Sequence, residues 1–330
     1  HNIFIGEEAG RYATSAEQNT AMGYHALGEG TLTGDENVAI GQQSMADATS
    51  ANKNVAIGQK TVEKITEGAS NVIIGHEAGV LLTTTSENVS IGASSMGIAD
   101  TNASTAVGYK AMNKASSQNS VAIGAYALRT GSNHYNVAVG MSAMTKVSGG
   151  AGGVAVGYQA GYHPTGNYNT WMGYNAGFGT AAGAAFNNVG VGREALMNVT
   201  SGYENVAVGL WAMKDSTTAR GNTYVGAYAG TGATIGRYNT GIGEFALQEN
   251  QEGYYNTAVG QYALYNTNTA DTTGENVGIG HGAGYTNTTG IRNVFVGHKA
   301  GYASTTASNN IFIGREAGVA NTTGTANVAV

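Results

Sequence analysis

The apolar and polar positions of this chain repeat every 16 to 20 residues, most often every 17. NVAVGLWA (205–212) is one copy: Asn, a β-branched residue, usually a small residue, an aliphatic residue, Gly, two variable residues and Ala. A fixed period of this length is typical of proteins built from stacked coils. We number each copy from its Gly as position zero. These glycines are Gly6, Gly23, Gly41, Gly58, Gly75, Gly92, Gly108, Gly124, Gly140, Gly157, Gly173, Gly192, Gly209, Gly226, Gly243, Gly260, Gly280, Gly297 and Gly314, and a truncated copy follows at 327–330.

The three residues before each zero Gly predict a short β-strand. In all twenty copies position −3 is Val, Ile or Thr, and position −1 is Val, Ile or Met. Alternation with period two puts these two side chains on one face, and β-branched residues next to Gly are unfavourable in a helix. We expect positions −3 and −1 to face the inside of the coil. On this basis Val206→Asp should unfold neighbouring coils, whereas Ala207→Arg, at −2, should separate chains.

The rest of the repeat predicts turns and a second short segment. Asn occupies −4 in 17 of 20 copies, where its amide can cap the turn or form a ladder between stacked coils. The zero Gly is expected where φ is positive or where backbones approach closely. Ala at +3 in 16 of 19 copies, followed by Gly, Leu, Met or Val at +4, predicts a second inward strand.

One such coil cannot bury a core alone, but stacked coils share one. We therefore predict an all-β fold, a β-solenoid of about 19–20 coils with two short strands per coil, in one continuous array over residues 1–330. The chain begins and ends inside a repeat, so we expect a fragment or processed segment of a longer protein.

The −2 column predicts oligomerisation. If it faces outward, it forms an apolar stripe along the solenoid, and monomers rarely leave such a stripe uncovered. We therefore expect identical chains to meet there, although the pattern alone sets no number of chains. The candidate seam residues are Phe4, Ile73, Trp171, Ala207, Tyr224, Phe295 and Phe312.

Several copies resemble the head repeats of trimeric autotransporter adhesins: NVAIGQQSM (37–45), NVAIGQKTV (54–62), SVAIGAYAL (120–128) and NTAVGQYAL (256–264). Longer copies with tails such as YTNTTG (285–290) are similar to repeats of bacteriophage tail fibres. The resemblance covers essentially the whole chain. It implies a left-handed parallel β-roll, with three chains around a common axis, outside the cell on a virion tail fibre or a bacterial surface.

Composition narrows the classes of partner. The net charge of −6 argues against nucleic acid, which needs a basic face. The chain has no Cys, which excludes disulfides and thiolate metal sites. No apolar run approaches the ~18 residues that span a bilayer, so we expect no membrane insertion by this segment.

No residue pattern predicts catalysis, a cofactor or a metal site. The seven histidines have no acid or Ser at a fixed spacing, so we interpret them as solvated surface residues. Carboxylate neighbours such as Glu7 and Glu8 are interpreted as solvated loop charges, because a glycosidase needs two carboxyl groups in a cleft. The GGxGxD repeat of calcium-binding rolls is absent.

Aromatic residues are the best candidates for a binding surface, because exposed Tyr and Trp stack on sugars and form protein contacts. The chain has 19 Tyr, several of which lie near the only proline, Pro164, and each of the two lengthened loops, 179–187 and 265–275, contains one aromatic residue. The candidate surface-binding residues are Tyr162, Tyr168, Tyr174, Phe186, Tyr265 and Asp271.

These observations predict a non-enzymatic fibre segment. The leading hypothesis is a homotrimeric shaft or head of a phage-type tail fibre that attaches to a cell-surface receptor, with a glycan as one candidate. The alternative is the head of a bacterial trimeric surface adhesin. An acyltransferase on a left-handed β-helix needs apolar residues every six positions, which this repeat lacks. An ice-binding solenoid needs an outward array of Thr, whereas we expect the Thr residues at −3 to face inward.

Overall fold

The computed structural model describes residues 1–98, 101–131, 134–147, 149–163, 166–179, 183–268 and 274–330. Within these ranges there is no helix; short β-strands alternate with turns. The chain divides into two compact units, His1–Tyr162 and His163–Val330, called unit 1 and unit 2 below. The predicted all-β solenoid is confirmed, with about 18 turns of ~17 residues.

Unit 1 contains one three-residue strand for each zero Gly and one additional pair of two-residue strands. The strands are β1 (Ile3–Ile5), β2 (Thr20–Met22), β3 (Val38–Ile40), β4 (Val55–Ile57), β5 (Val72–Ile74), β6 (Val89–Ile91), β7 (Thr105–Val107), β8 (Lys114–Ala115), β9 (Val121–Ile123), β10 (Thr130–Gly131), β11 (Val137–Val139) and β12 (Val154–Val156).

Unit 2 repeats the same arrangement. Its strands are β13 (Thr170–Met172), β14 (Val189–Val191), β15 (Val206–Val208), β16 (Thr223–Val225), β17 (Thr240–Ile242), β18 (Thr257–Val259), β19 (Val277–Ile279), β20 (Val294–Val296), β21 (Ile311–Ile313) and β22 (Val328–Ala329).

In both units each strand pairs in parallel with the strand of the next coil, and equivalent repeat positions lie beside each other. Val206 pairs with Thr223, and Ala207 pairs with Tyr224. Because the register is kept, every repeat position forms a column along its unit. Side chains therefore pack against, and share a surface with, the other members of their own column.

The second segment of the coil is a turn rather than a strand. Trp211 at +2 and Met213 at +4 have φ of 58° and 49°, in the left-handed region that no strand uses. Their backbone groups still bond between coils: the Met213 N–H donates to the Ala229 carbonyl at 3.0 Å. Only β8 and β10 come from outside the −3 to −1 segment, so the predicted second strand is a hydrogen-bonded turn in nearly every described coil.

The predicted orientation of the strand faces is wrong. Ala207, at −2, has no exposed surface, whereas Val206 and Val208 on either side of it are half-buried. The same alternation runs through both units, as in Ile311 and Ile313, which are 41 % and 40 % exposed around a buried Phe312. The −2 column therefore faces the core, and the larger −3 and −1 side chains face outward.

The physical reason is volume within the thin coil. A large residue at −2 is accompanied by Gly at +4, where a Cβ would lie 2.1 Å from the Trp171 ring at Gly177 and 2.5 Å from the Tyr224 ring at Gly230. Where −2 is Ala, a Leu or Met usually fills +4 instead, as with Ala207 and Met213. The side chains at −2 and +4 share one space inside the coil. Because the interior is closely packed, only one of the two can be large.

This packing corrects the seam assignment. Ile73, Trp171, Ala207, Tyr224, Phe295 and Phe312 are at most 2 % exposed within a single chain. Phe4, in the first coil, is half-buried and packs against the unit 1 core. All seven side chains stabilise their own coils, and none of them forms an exposed stripe.

The predicted asparagine ladder is present. Asn205 is buried, and its amide nitrogen donates to the Asn188 side-chain oxygen at 3.0 Å and to the Ala219 carbonyl at 2.8 Å. Asn222 repeats this pattern on Asn205. The zero Gly also behaves as predicted: Gly209 has a φ of 137°, and a Cβ there would lie 2.4 Å from the Gly226 carbonyl oxygen.

Candidate functional site

The outward side chains at −3 and −1 form an apolar surface in each unit, which we call the strand face. It contains only Val, Ile, Thr and Met, without a single charged residue. Members exposed by 37 % to 57 % include Ile3, Ile5, Val72, Ile123 and Ile242. With about 4.8 Å between coils and a width of roughly 10 Å, nine coils present on the order of 400 Å². A patch of this size in each unit is typical of an interaction surface.

Threonines interrupt the strand face at six −3 positions, and three of these six lie in consecutive coils. Thr223, Thr240 and Thr257 occupy −3 in three consecutive coils of unit 2 and pair in register. They face outward, so the expected inward orientation is wrong. Their −1 partners are Val225, Ile242 and Val259, which means that the row reads Thr-x-Val or Thr-x-Ile rather than Thr-x-Thr.

The turn that follows each strand carries the variable chemistry of the surface. Position +2 has a positive φ, as in Tyr228 at 59°, and its side chains form what we call the +2 column. In the first coils of unit 1 this column holds ions. His25 Nε2 lies 2.7 Å from a Glu8 carboxylate oxygen, and His25 Nδ1 lies 3.4 Å from Glu29. The His25 side chain is therefore in contact with Glu8 and is only 18 % exposed, rather than freely solvated.

In unit 2 the +2 column becomes a stack of aromatic rings. Trp211 meets Tyr228 edge to face, with ring centres 5.3 Å apart. Tyr228 stacks on Phe245 at 4.9 Å, and Phe245 stacks on Tyr262 at 4.8 Å with ring planes only 6° apart. The distance between ring centres is close to the rise of one coil. Aromatic residues at the same repeat position of successive coils therefore form a continuous stack.

A second stack follows at +5. Tyr265, Tyr285 and Tyr302 lie with ring centres 5.0 Å apart at each step and with nearly parallel planes. At +1, His281 and His298 also stack, at 5.3 Å. These two histidines are in adjacent coils, and both are exposed, as expected for surface histidines.

The two aromatic columns border a groove of about 420 Å³ on the surface of unit 2. Its lining residues are Tyr262, Tyr265, His281, Gly282, Tyr285, Lys299 and Tyr302. The ammonium group of Lys299 lies 5.5 Å above the Tyr302 ring, a cation–π contact. Burial, followed by the nearby Glu249 charge, raises the pKa of Tyr265.

The sequence-predicted surface residues do not form one site. Tyr168 and Tyr174 are 66 % and 48 % exposed, and Tyr162 is half-buried under the Lys146 ammonium group. Phe186 stacks on Tyr203 at 4.8 Å in another column. Only Tyr265 of the predicted set lines the groove, and Asp271 lies outside the described residues.

Sequence reasoning missed Tyr262, Tyr285, Tyr302 and Lys299 as one group. The signal was present, because Tyr265, Tyr285 and Tyr302 are all at +5 of successive copies and Tyr262 and Lys299 are both at +2. Aligning copies by column, rather than searching for clusters along the chain, would have found them. Sequence neighbours in a solenoid point in different directions, whereas column neighbours touch.

The described acidic side chains and histidines do not meet the requirements of a metal site. In the part of the chain that the structure describes, no three His, Asp or Glu side chains come together in a way that could hold a metal ion. Tyr224 is fully buried, which raises the pKa of its phenol, and its hydroxyl lies 3.5 Å from the Asn250 amide. This Tyr belongs to the core.

The fold, the uniform strand face and the variable turn columns define a repeat protein of the β-solenoid class. Among the described residues, no helix has the length and apolarity needed to cross a membrane. A scan against models of protein families gave no match, and a search of curated proteins gave none either.

Proposed function

We propose that this chain is a non-enzymatic structural and adhesive segment of a homotrimeric fibre outside the cell, of the kind found in phage tail fibres, that attaches to a cell surface. The head of a bacterial trimeric surface adhesin is the alternative with the same assembly. The observation that carries the proposal is the strand face, which is apolar in every coil and partly exposed in an isolated chain.

Identical chains fit this face better than an unrelated partner. A second copy offers the same coil rise of about 4.8 Å and the same alternation of −3 and −1 side chains, so each coil meets an equivalent coil. Each unit by itself presents on the order of 400 Å² of this face, about half of the roughly 800 Å² that each partner buries in a standard-size interface. The number three comes from the family resemblance.

The first test is the native mass of the chain by light scattering. Three times the chain mass of 33.5 kDa supports the trimer. A protein that remains one chain at micromolar concentration contradicts the proposal, because the strand face would then stay exposed in solution.

A charged strand face should separate the chains without unfolding them. The variant replaces three neighbours in register, Val189→Asp, Val206→Asp and Thr223→Asp. The matched control carries three Asp substitutions at exposed turn positions, Thr218→Asp, Gln251→Asp and Thr289→Asp. Loss of the trimer in the first variant alone, with both variants retaining a β-type circular dichroism spectrum, supports the proposed interface.

Adhesion is tested separately, by binding of the fluorescently labelled wild-type protein to bacterial and animal cells. Saturable binding to one cell type supports the attachment role, and absence of binding to both contradicts it. The control is the protein unfolded by heat, in which the columns that present the surface side chains are lost.

The outward threonines favour one different function. Thr223, Thr240 and Thr257 present three hydroxyl groups in a regular row, as an ice-binding surface would. The apolar residues at −1 argue against a Thr-x-Thr array. A freezing-point measurement decides: we expect no thermal hysteresis, and a clear gap between melting and freezing would favour ice binding.

A further inference from the structure

The groove in unit 2 lies where the +2 column has a Gly in place of an aromatic residue, so that one ring of the stack (the missing rung) is absent. The +2 column runs Trp211, Tyr228, Phe245, Tyr262, and then Gly282 takes the place of the next ring. Lys299 follows at the same position in the next coil. Between Tyr262 and Lys299 there are two coil rises, about 9.6 Å, in which the column itself supplies no side chain. The Tyr302 ring and the Lys299 side chain lie beside Gly282, within 3.4 Å and 3.8 Å of the place where a Cβ would be.

The missing rung leaves one ring face of Tyr262 uncovered by its own column. Phe245 covers the other face, with the two planes 6° apart. Tyr285 and His281 approach Tyr262 edge-on, at 6.0 Å and 6.1 Å between ring centres, and form the sides of the gap. The gap therefore opens into the groove of about 420 Å³ as a slot with an aromatic wall, bordered by the Tyr302 ring and the Lys299 side chain.

The polar groups around the slot are mostly hydrogen-bond donors. Tyr265, Tyr285 and Tyr302 carry hydroxyl groups along one side, and Lys299 contributes an ammonium group at the end opposite Tyr262. The lining contains no carboxylate. A ligand that matches this arrangement has one apolar ring face for Tyr262 and several hydroxyl or carboxylate oxygens at its rim.

We propose that the slot at Gly282 binds one pyranose unit of a surface glycan, with the C–H face of the sugar on Tyr262 and its oxygens toward the Tyr hydroxyls and Lys299. Pyranoses combine an apolar face with a rim of hydroxyl groups, whereas purely apolar ligands would leave the Lys299 ammonium group without an acceptor. The site rests on the proposed attachment function and specifies its ligand class.

The decisive variant is Gly282→Tyr, which fills the slot and removes no wall. Gly282 has a φ of 62°, close to the 58° of Tyr262 at the same repeat position, so the backbone already accepts a Tyr there. A Cβ at Gly282 would meet its nearest neighbour, the Tyr302 ring, at an ordinary 3.4 Å. The matched control is Ser142→Tyr, at +2 of a unit 1 coil with a φ of 59°.

The assay is binding of the wild-type protein and the two variants to an oligosaccharide array containing neutral hexose, N-acetylhexosamine and uronic-acid oligomers. We expect the wild type and Ser142→Tyr to bind the same oligosaccharides, and Gly282→Tyr to bind them at least tenfold more weakly. Tyr262→Ala should weaken binding in the same way, because it removes the aromatic wall.

Two results would overturn the site. One is that the wild type binds none of the three sugar classes, and the other is that Gly282→Tyr binds as tightly as the wild type while its thermal melting is unchanged. Cell binding separates these outcomes from the wider proposal: if either array result is found while the wild type still adheres to cells, the attachment role stands and the glycan slot is wrong.

Discussion

The coils around Gly23 and the coils around Gly243 share their inner columns and differ in the outer ones. Both have a buried residue at −2, a buried Asn at −4 and a buried Leu at +4, as in Leu27 and Leu247. At +2, however, the first region carries the His25–Glu8 ion pair and the second carries stacked Phe245 and Tyr262.

This difference shows where the chain is free to vary. The inner positions must fill one thin space in every coil, so each coil constrains the next. The +2 side chain leaves the backbone at a positive φ and points away from that space, so either ions or rings are accepted. Function is therefore expected in the turn columns, and the largest effects on stability are expected in the inner ones.

The largest effect should come from a charge placed in an inner column of either region. Ala39→Arg and Ala207→Arg each bury an unpaired guanidinium where no surface is exposed, and we expect each to cost about 3–5 kcal/mol of the free energy of unfolding. Urea denaturation, monitored by circular dichroism, measures the loss of unfolding free energy in each variant. At a protein concentration where both variants are monomeric, Val206→Asp, one position away on the strand face, should leave the unfolding midpoint within the range of ordinary surface substitutions. Equal losses for monomeric Ala207→Arg and Val206→Asp would show that both faces are buried within one chain.

The next largest effect concerns the shared space between −2 and +4. Ile73→Ala should cost about 2–5 kcal/mol by leaving a cavity. Gly79→Met should cost about 1–3 kcal/mol by overpacking, because a Cβ there already lies 2.9 Å from Leu82 and 3.3 Å from Ile73.

The double variant Ile73→Ala/Gly79→Met converts this coil to the Ala–Met type of Ala39 and Met45. It should recover at least half of the summed loss, which a double-mutant cycle measures by urea denaturation. Additive losses would mean that the two positions do not share one cavity.

A smaller effect is expected for the asparagine ladder. Asn205→Ala removes hydrogen bonds to Asn188 and Ala219 and leaves Asn222 without its acceptor. We expect a loss of about 2–3 kcal/mol. Asn205→Ser should lose less, since Ser104 already replaces Asn in one coil and its hydroxyl donates to the Ser117 carbonyl at 2.9 Å. Thermal unfolding of the three proteins gives the ranking, and equal losses for Ala and Ser would show that the hydroxyl does not substitute for the amide.

The smallest effects should distinguish the two versions of the +2 column. Phe245→Ala removes stacking on Tyr228 and Tyr262 and should cost about 1 kcal/mol, independent of salt. Glu8→Gln removes a solvent-accessible carboxylate that pairs with Arg11 at 2.8 Å and contacts His25, and it should cost less than about 1 kcal/mol, with the difference vanishing in 1 M NaCl. Thermal melting at low and high salt separates the two, and a salt-dependent effect of Phe245→Ala would contradict this account.

The recurrence of Asn, β-branched residue, aliphatic residue and Gly was enough to predict an all-β solenoid and its coil boundaries. It also predicted the buried Asn ladder and the positive φ of Gly209, because both follow from one coil stacking directly on the next. The second strand was predicted incorrectly, since nothing local to Ala212 and Met213 reveals a left-handed turn at this point. The groove was found only in part, because its residues come from three coils.

The sequence by itself determined the period, the register and the list of residues in each column, because repetition leaves one way to stack equal coils. Tertiary structure alone decided which side of the strand is the core. Period-two alternation places Ala207 on one face of the strand and Val206 and Val208 on the other. It does not tell which of the two faces is buried. The thin coil accepts only small residues at −2, or a large one opposite Gly at +4, and this limit on volume turns the β-branched residues outward.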